Sequence, residues 1–462
     1  MHLRFDPTKT HAAFDEPNLV SRAGLVPLMA LARRCGLHEL AGQHVRISAK
    51  TGVFPEIKIP AIIAGMAAGA DSIDDLDVLR HGAMPDVFAG IRAPSTLGSF
   101  LRSFSHGNVA QLQKVSRLLL AELARHTPLL AGAGEMAHLD LDSAQERVFG
   151  YHKQGAAYGH AKIAGKSVAV KGLNVLAASI TTPLAAPVAA GTQLRGGNAN
   201  TARGAAWFAT RALETARQAG CTGILITRMD SGYYTADAVC AARTAGAYFS
   251  VTARMDAKVK AAIAAIPGDA WTPIQYPHAI YDELAGGWVS DAEVAEVPYT
   301  AFTSRAKDGK TVTARLIVRR VRRLGDAPAG QGELFALWRY HPVFTDSPFA
   351  MTEAEADHRD RGGAIEQLFA DLNNGPLAHM PSGVFNANAA WLALAAICHN
   401  LMRAAGCLAS AFFAMARGTT IRARLINVAA RIARHGRGHI TLHLPQDWPW
   451  EQDWLDLFAA SP

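Results

Sequence analysis

Asp142, Asp230 and Glu366 are the residues of this chain whose type and placement suit chemistry. Asp142 ends the alternating apolar run Met136-Ala-His-Leu-Asp-Leu-Asp142, which reads as a strand. Asp230 directly follows a second short strand pattern, Gly223-Ile-Leu-Ile-Thr-Arg-Met229, and precedes Ser231-Gly232. Glu366 lies in a helical pattern beside its apolar stripe of Ile365, Leu368, Phe369 and Leu372. Three acids brought to one rim repel, and their proton affinities rise unless a divalent cation neutralises them. Oxygen-only ligands suit Mg²⁺ or Mn²⁺. Two such ions about 4 Å apart activate an attacking oxygen and stabilise the leaving one in an in-line phosphodiester displacement. The plainer alternative is that each acid is solvated or salt-bridged where its element ends. Within the first strand Asp140 and Asp142 project from one face and Leu139 and Leu141 from the other, so the acid pair needs a cation nearby. Asp142, beside Ser143, is expected to hold metal, and Asp140 to support it.

The elements that must position these acids follow from periodicity. Residues 18–130 are dominated by helical spacing, including a helix over 94–104 that starts with a Ser/Thr cap after Pro94. Residues 147–151 are expected to fold back on the Asp142 strand as a hairpin, 155–160 to form a glycine-containing loop, and 167–179 to return to strand. Helix, strand, helix, strand and helix then alternate at about 201–219, 223–229, 235–245, 248–253 and 258–266, which implies an α/β core. In such sheets ligands bind at the carboxyl ends of strands, where Asp142 and Asp230 both fall. Short β patterns from 280 to 344 suggest an inserted β-rich subdomain. Helices follow over 352–372 and 385–402, then a basic tail over 417–439 and a strand over 440–444. The expected organisation is a helical N-terminal domain (1–130), the first part of the core (131–279), the insertion (280–347), and core completion with a basic C-terminal region (348–462).

Composition narrows the partner. The chain has 462 residues, is half hydrophobic and only 18% charged, yet carries a net charge of +7. Two or three domains are expected at that length, and the positive balance favours a polyanion, nucleic acid ahead of a membrane surface. The longest apolar stretch, about 389–416, is interrupted by His399, Asn400 and Arg403, so it reads as core helix rather than a membrane span. Five cysteines without a CxxC pair, and an N-terminus with no apolar signal region, point to reduced thiols in the cytoplasm. Candidate DNA contacts are Arg102 on the 94–104 helix, the cluster Arg319, Arg320, Arg322 and Arg323 in one strand pattern, and Arg422 and Arg424 in the tail. Each has a bland counterpart: a packing helix, a strand edge guarded by charge, or a solvated helix face. Tyr233, Tyr234 and Trp288 are residues that either stack on a base or pack. The lone histidines His152, His160 and His358 either assist the site or are simply hydrogen-bonded.

The motifs Leu139-Asp-Leu-Asp142-Ser, Val148-Phe-Gly150, Gly155-Ala-Ala-Tyr-Gly159, Thr227-Arg-Met-Asp230-Ser-Gly-Tyr233 and Arg361 through Glu366 resemble those of the DDE transposases of bacterial insertion sequences. The best match is the group named after insertion sequence 1380. The resemblance spans most of the chain and implies a ribonuclease-H-like core with a β-rich insertion between the second and third acids. It implies Asp142, Asp230 and Glu366 as first, second and third catalytic acids, with Asp140 the main rival for the first. The cofactor implied is two Mg²⁺ or Mn²⁺ ions. His358 and Arg361 fall where relatives hold DNA upstream of the glutamate, Asn373 stands where a lysine is expected, and Ser143-Ala144 replaces a more usual Ser-Thr. The implied activity is cut-and-paste transposition on double-stranded DNA, at terminal inverted repeats and a target, by a homodimer on DNA in the bacterial nucleoid. A catalytically silent DNA-binding descendant is the alternative. A carboxylate glycosidase fits the basic charge poorly.

Overall fold

The computed structural model describes all residues except 151, 164–165, 275–280, 283–286, 289–291 and 323–337. The N-terminal third is helical as expected: α1 (Leu25–Arg34), α2 (Leu37–His44), α3 (Pro55–Ala68), α4 (Met84–Val87), α5 (Pro94–Arg102) and α6 (His106–His126). A two-residue strand, β1 (Leu19–Val20), precedes them. Helix α5 starts with Pro94 in its first turn after Ala93, with no side-chain cap, because proline's missing N–H needs none there. The capping box belongs to α6, where Ser105 and Asn108 cap each other's backbone N–H groups.

The centre is a mixed sheet. Its strands are β2 (Met136–Arg147), β3 (Ala157–Ile163), β4 (Lys166–Thr182), β5 (Ala185–Gly196), β6 (Ile224–Met229), β7 (Tyr248–Thr252) and β8 (Thr272–Ile274). After a small ladder of β9 (Tyr281–Asp282) and β10 (Gly287–Trp288), the sheet resumes with β11 (Ala292–Ala301), β12 (Val312–Arg322) and β13 (Trp338–Thr345). The order is β3-β4-β2-β6-β7-β13-β12-β11-β8, with β5 also pairing β4, which makes ten strands among the described residues. The central trio β2, β6 and β7 is parallel, and its neighbours β4 and β13 are antiparallel. No hairpin forms at 147: β2 runs on to Arg147 because β4 offers it a continuous partner, from His138↔Thr181 to Arg147↔Gly172. The glycine-containing segment expected as a loop is largely β3, which pairs with the start of β4. The strands expected as a separate insertion extend the central sheet instead, since β13 pairs with β7 at Val343↔Thr252 through Thr345↔Ser250.

Helices α7 (Ala205–Gln218), α8 (Ala236–Thr244) and α9 (Ala257–Ala264) connect these strands, and α10 (Met351–Asn373) packs on β2, β4, β5, β6 and β12. Helix α11 (Phe385–Ala409) is the one described helix long and apolar enough to cross a membrane, but 89% of its most apolar window is buried inside the protein. Its polar residues belong to that burial. Asn400 Oδ1 accepts from Ala189 N at 2.7 Å and Asn400 Nδ2 donates to Ala189 O at 2.9 Å, while His399 Nε2 meets Pro187 O at 3.0 Å, so both satisfy backbone groups of β5. Arg403 donates to the carbonyls of Ala414 and Ala416. Short helices α12 (Ala411–Met415) and α13 (Gly418–Ile421), strands β14 (Ala430–Arg434) and β15 (Ile440–His443) and helix α14 (Glu451–Ala460) complete the chain. Packing crosses the boundary expected at 130: α11 lies against α6, α3 and α5, and β1 pairs β14 at Leu19↔Arg431.

Candidate active site

Two of the three acids are brought together by strand register. The parallel ladder pairs Leu141 of β2 with Met229 of β6, so the next residue of each strand, Asp142 and Asp230, emerges at the same level. Asp142 Oδ1 accepts from the N–H of Ser143 at 2.7 Å, and Asp230 Oδ1 from the N–H of Gly232 at 2.8 Å, capping the tight turn Ser231–Tyr233. That turn requires glycine: a Cβ at position 232 would stand 2.7 Å from Thr201 Cγ2 and 3.0 Å from Asp230 Oδ1. Helix α10 brings Arg361, whose Nη1 lies 4.0 Å from Asp142 Oδ2, and the solvent-exposed Glu366. Burial pushes Asp142 up to about 6, with the charges of Asp230 and Glu366 adding to the rise and Arg361 and the Ser143 N–H opposing it. Tyr233 is fully buried beside Ser143, in the field of Asp142 and Asp230, with no well-formed hydrogen bond to its hydroxyl. It is a wall of the site, not a residue exposed for base stacking.

Chemically this suits a hard cation. The donors are carboxylate oxygens, the innermost is disfavoured as a bare anion, and Arg361 Nη1 is buried without a hydrogen-bond partner among the described residues. Among the described residues, however, no group of three or more acidic, histidine or cysteine side chains is already arranged to hold an ion. The three acids share a field without forming a closed ligand set.

Asp140 faces the same way as Asp142, as alternation requires, and its expected cation is Arg228. Arg228 Nε and Nη2 donate to Asp140 Oδ1 and Oδ2 at 2.6 and 2.8 Å, and Nη1 donates to the carbonyl of Asp357 at 2.7 Å. Asp140 is completely buried, and both of its carboxylate oxygens accept from Arg228. Arg228 and Asp357 escaped the sequence reading. The only signal for Arg228 was a cation standing inside an otherwise apolar strand.

The basic candidates divide. Arg102 is exposed on α5, 3.4 Å from Ser99 Oγ. Two of the β12 arginines are paired: Arg319 Nε donates to Glu355 Oε1 at 2.6 Å, and Arg320 pairs with Glu293 while its guanidinium sits 4.0 Å from the Trp271 ring and 4.4 Å from that of Trp338. Their charge is consumed by carboxylates far away in sequence. Arg323 and the side chains of Arg322 and Trp288 lie outside the described residues. His358 is not a DNA contact. It is buried, its nitrogens lie 2.8 Å from Ser250 Oγ and 2.9 Å from Thr252 Oγ1, and burial pushes it down to about 3, so it stays neutral. Arg422 is half-buried and donates to Ala67 O at 3.3 Å and Asn374 O at 3.2 Å, bracing the N-terminal helices. Arg424 lies over Trp450 at 4.3 Å and Phe412 at 5.4 Å. Asn373 donates to Glu146 Oε1 at 3.2 Å on β2.

Fold and site together define an α/β protein with two aspartates side by side at the level where the ladder between adjacent parallel strands ends. The chain belongs to the family described as transposase DDE domain group 1, whose model matches residues 5–460. Among curated proteins none matches it.

Proposed function

We propose that this is a cut-and-paste DNA transposase of the insertion-sequence type, similar to the insertion sequence 1380 group, with a ribonuclease-H-like catalytic core. The carrying observation is the Leu141↔Met229 register, which sets Asp142 beside Asp230 where Asp142 also feels Glu366. Asp142, Asp230 and Glu366 are the residues that hold the divalent ions, Mg²⁺ or Mn²⁺. When bound, the ions supply activation of the attacking oxygen and stabilisation of the leaving one. Arg361, with an unspent donor beside Asp142, orients the scissile phosphate. Arg102 on α5 offers a phosphate contact that positions the DNA without reading it. The substrates are the terminal inverted repeats and a target duplex, engaged by a homodimer on DNA.

Asp142→Asn, Asp230→Asn and Glu366→Gln should each abolish Mg²⁺-dependent cleavage of a labelled end while leaving gel-shift binding of that end largely intact. Full cleavage by any one variant removes that residue from the site. A second reading, a silent end-binding protein, draws on Asn373, which bonds Glu146 instead of presenting a lysine. Calorimetric titration with Mn²⁺ separates the two, because a pure binder takes up no ion at these acids.

A further inference from the structure

Each element that carries an acid of the proposed site also gives one charged side chain to a single buried ion cluster. Asp140 precedes Asp142 by two residues on β2, Arg228 precedes Asp230 by two on β6, and Asp357 precedes Glu366 by nine on α10. Arg228 joins them all: it is bidentate on Asp140 at 2.6 and 2.8 Å, and its Nη1 reaches the Asp357 carbonyl at 2.7 Å and Oδ1 at 3.4 Å. His138 Nε2, on β2, lies 2.5 Å from the same Asp357 Oδ1. Arg228 is 3% exposed and Asp140 0%.

Buried charge of this kind is weak evidence for stability, since removing it from water costs much of what the pairing returns. Its placement is informative. Residues two apart on a strand share a face, so fixing Asp140 and Arg228 fixes the directions of Asp142 and Asp230. Nine residues are about two and a half helical turns, which puts Asp357 and Glu366 on opposite flanks of α10. Clamping Asp357 therefore sets the rotation of α10, and with it where Glu366 points. An apolar contact could hold α10 down equally well, but it would let the helix roll; hydrogen bonds of fixed direction do not.

We infer that Arg228, Asp140 and Asp357 are positioning residues, a three-way clamp that sets α10 against β2 and β6 so that Glu366 meets the two aspartates. This rests on the cleavage chemistry proposed above, and its consequence is a site whose acids are aligned from behind, by groups that touch neither ion nor DNA.

The test uses the full chain with the double substitution Asp140→Leu/Arg228→Met, which replaces the ion pair by apolar groups of similar size. Arg228→Lys serves as a milder second variant, since it keeps a cation beside Asp140 but loses the fork that also reaches the Asp357 carbonyl. Hydrogen exchange of the metal-free protein should show Met351–Asn373 amides losing about tenfold or more of their protection, with β2 and β6 unchanged. The Mg²⁺ concentration for half-maximal cleavage should rise by about 10–100-fold, with end binding in a gel shift unaltered. Unchanged α10 protection together with unchanged Mg²⁺ half-saturation overturns the clamp. If the double variant does not fold, Arg228→Lys decides by the same two measurements. If the wild type cleaves no end DNA, the transposase reading fails, whereas the exchange comparison still decides the clamp.

Discussion

Asp142 spends the metal-free state as a partly buried acid pushed from 3.8 up to about 6, chiefly by desolvation. Between those values the folded protein holds a proton that the unfolded chain has lost, so stability falls as pH rises through that window. At neutral pH the anion is a standing cost. Asp142→Asn should therefore stabilise the metal-free protein by about 1–3 kcal/mol in urea unfolding at pH 7. Equal or lower stability in the variant would mean that Arg361 and the Ser143 N–H already satisfy the carboxylate. The same acid predicts a pH limb for the wild type: at a fixed, subsaturating Mg²⁺ concentration, cleavage should decline as pH drops through about 6, where the proton on Asp142 competes with the ion. A rate independent of pH between 5 and 7 would place the limiting ionisation elsewhere.

Among the elements, β12 shows how charge in a sequence misleads. Its arginines were visible as a basic run, but Glu293, Glu355, Trp271 and Trp338 come to them only through folding. Arg320→Ala should thus lower thermal stability, by about 2 kcal/mol, and leave the salt dependence of end binding as it was. Arg102→Ala should leave stability alone and flatten that salt slope. Reversed results would return the strand to the DNA interface. The strands and helices carrying the acids were legible because period 2 and period 3.6 survive in β2 and α10, and Met229 to Asp230 is an abrupt end. Strand partners were not legible. That β13 extends the main sheet beside β7, and that β2 prefers β4 to a hairpin, depends on which edges are free in three dimensions. His358 illustrates the same limit, since burial keeps it neutral and Ser250 and Thr252 bond it from a strand more than a hundred positions earlier.

For the whole molecule, the decisive feature is α11. It supplies the apolar face on which α3, α5 and α6 rest, and it caps β5, so the N-terminal helices and the sheet share one core. Arg422 adds a tie to the end of α3, and β14 another to β1. Residues 1–130 expressed alone should consequently lack a cooperative thermal transition by circular dichroism, because α6 and α3 would expose the surfaces that α11 covers. A sharp melting transition of that fragment would re-establish it as an independent domain. During synthesis the order of events matters. The N-terminal helices leave the ribosome well before Phe385 exists, an interval on the order of tens of seconds at roughly 5–20 residues per second. For that interval the faces that α11 will cover have no partner. A message cut short before α11 should accordingly yield an unfinished chain rather than a folded fragment with the N-terminal surfaces intact.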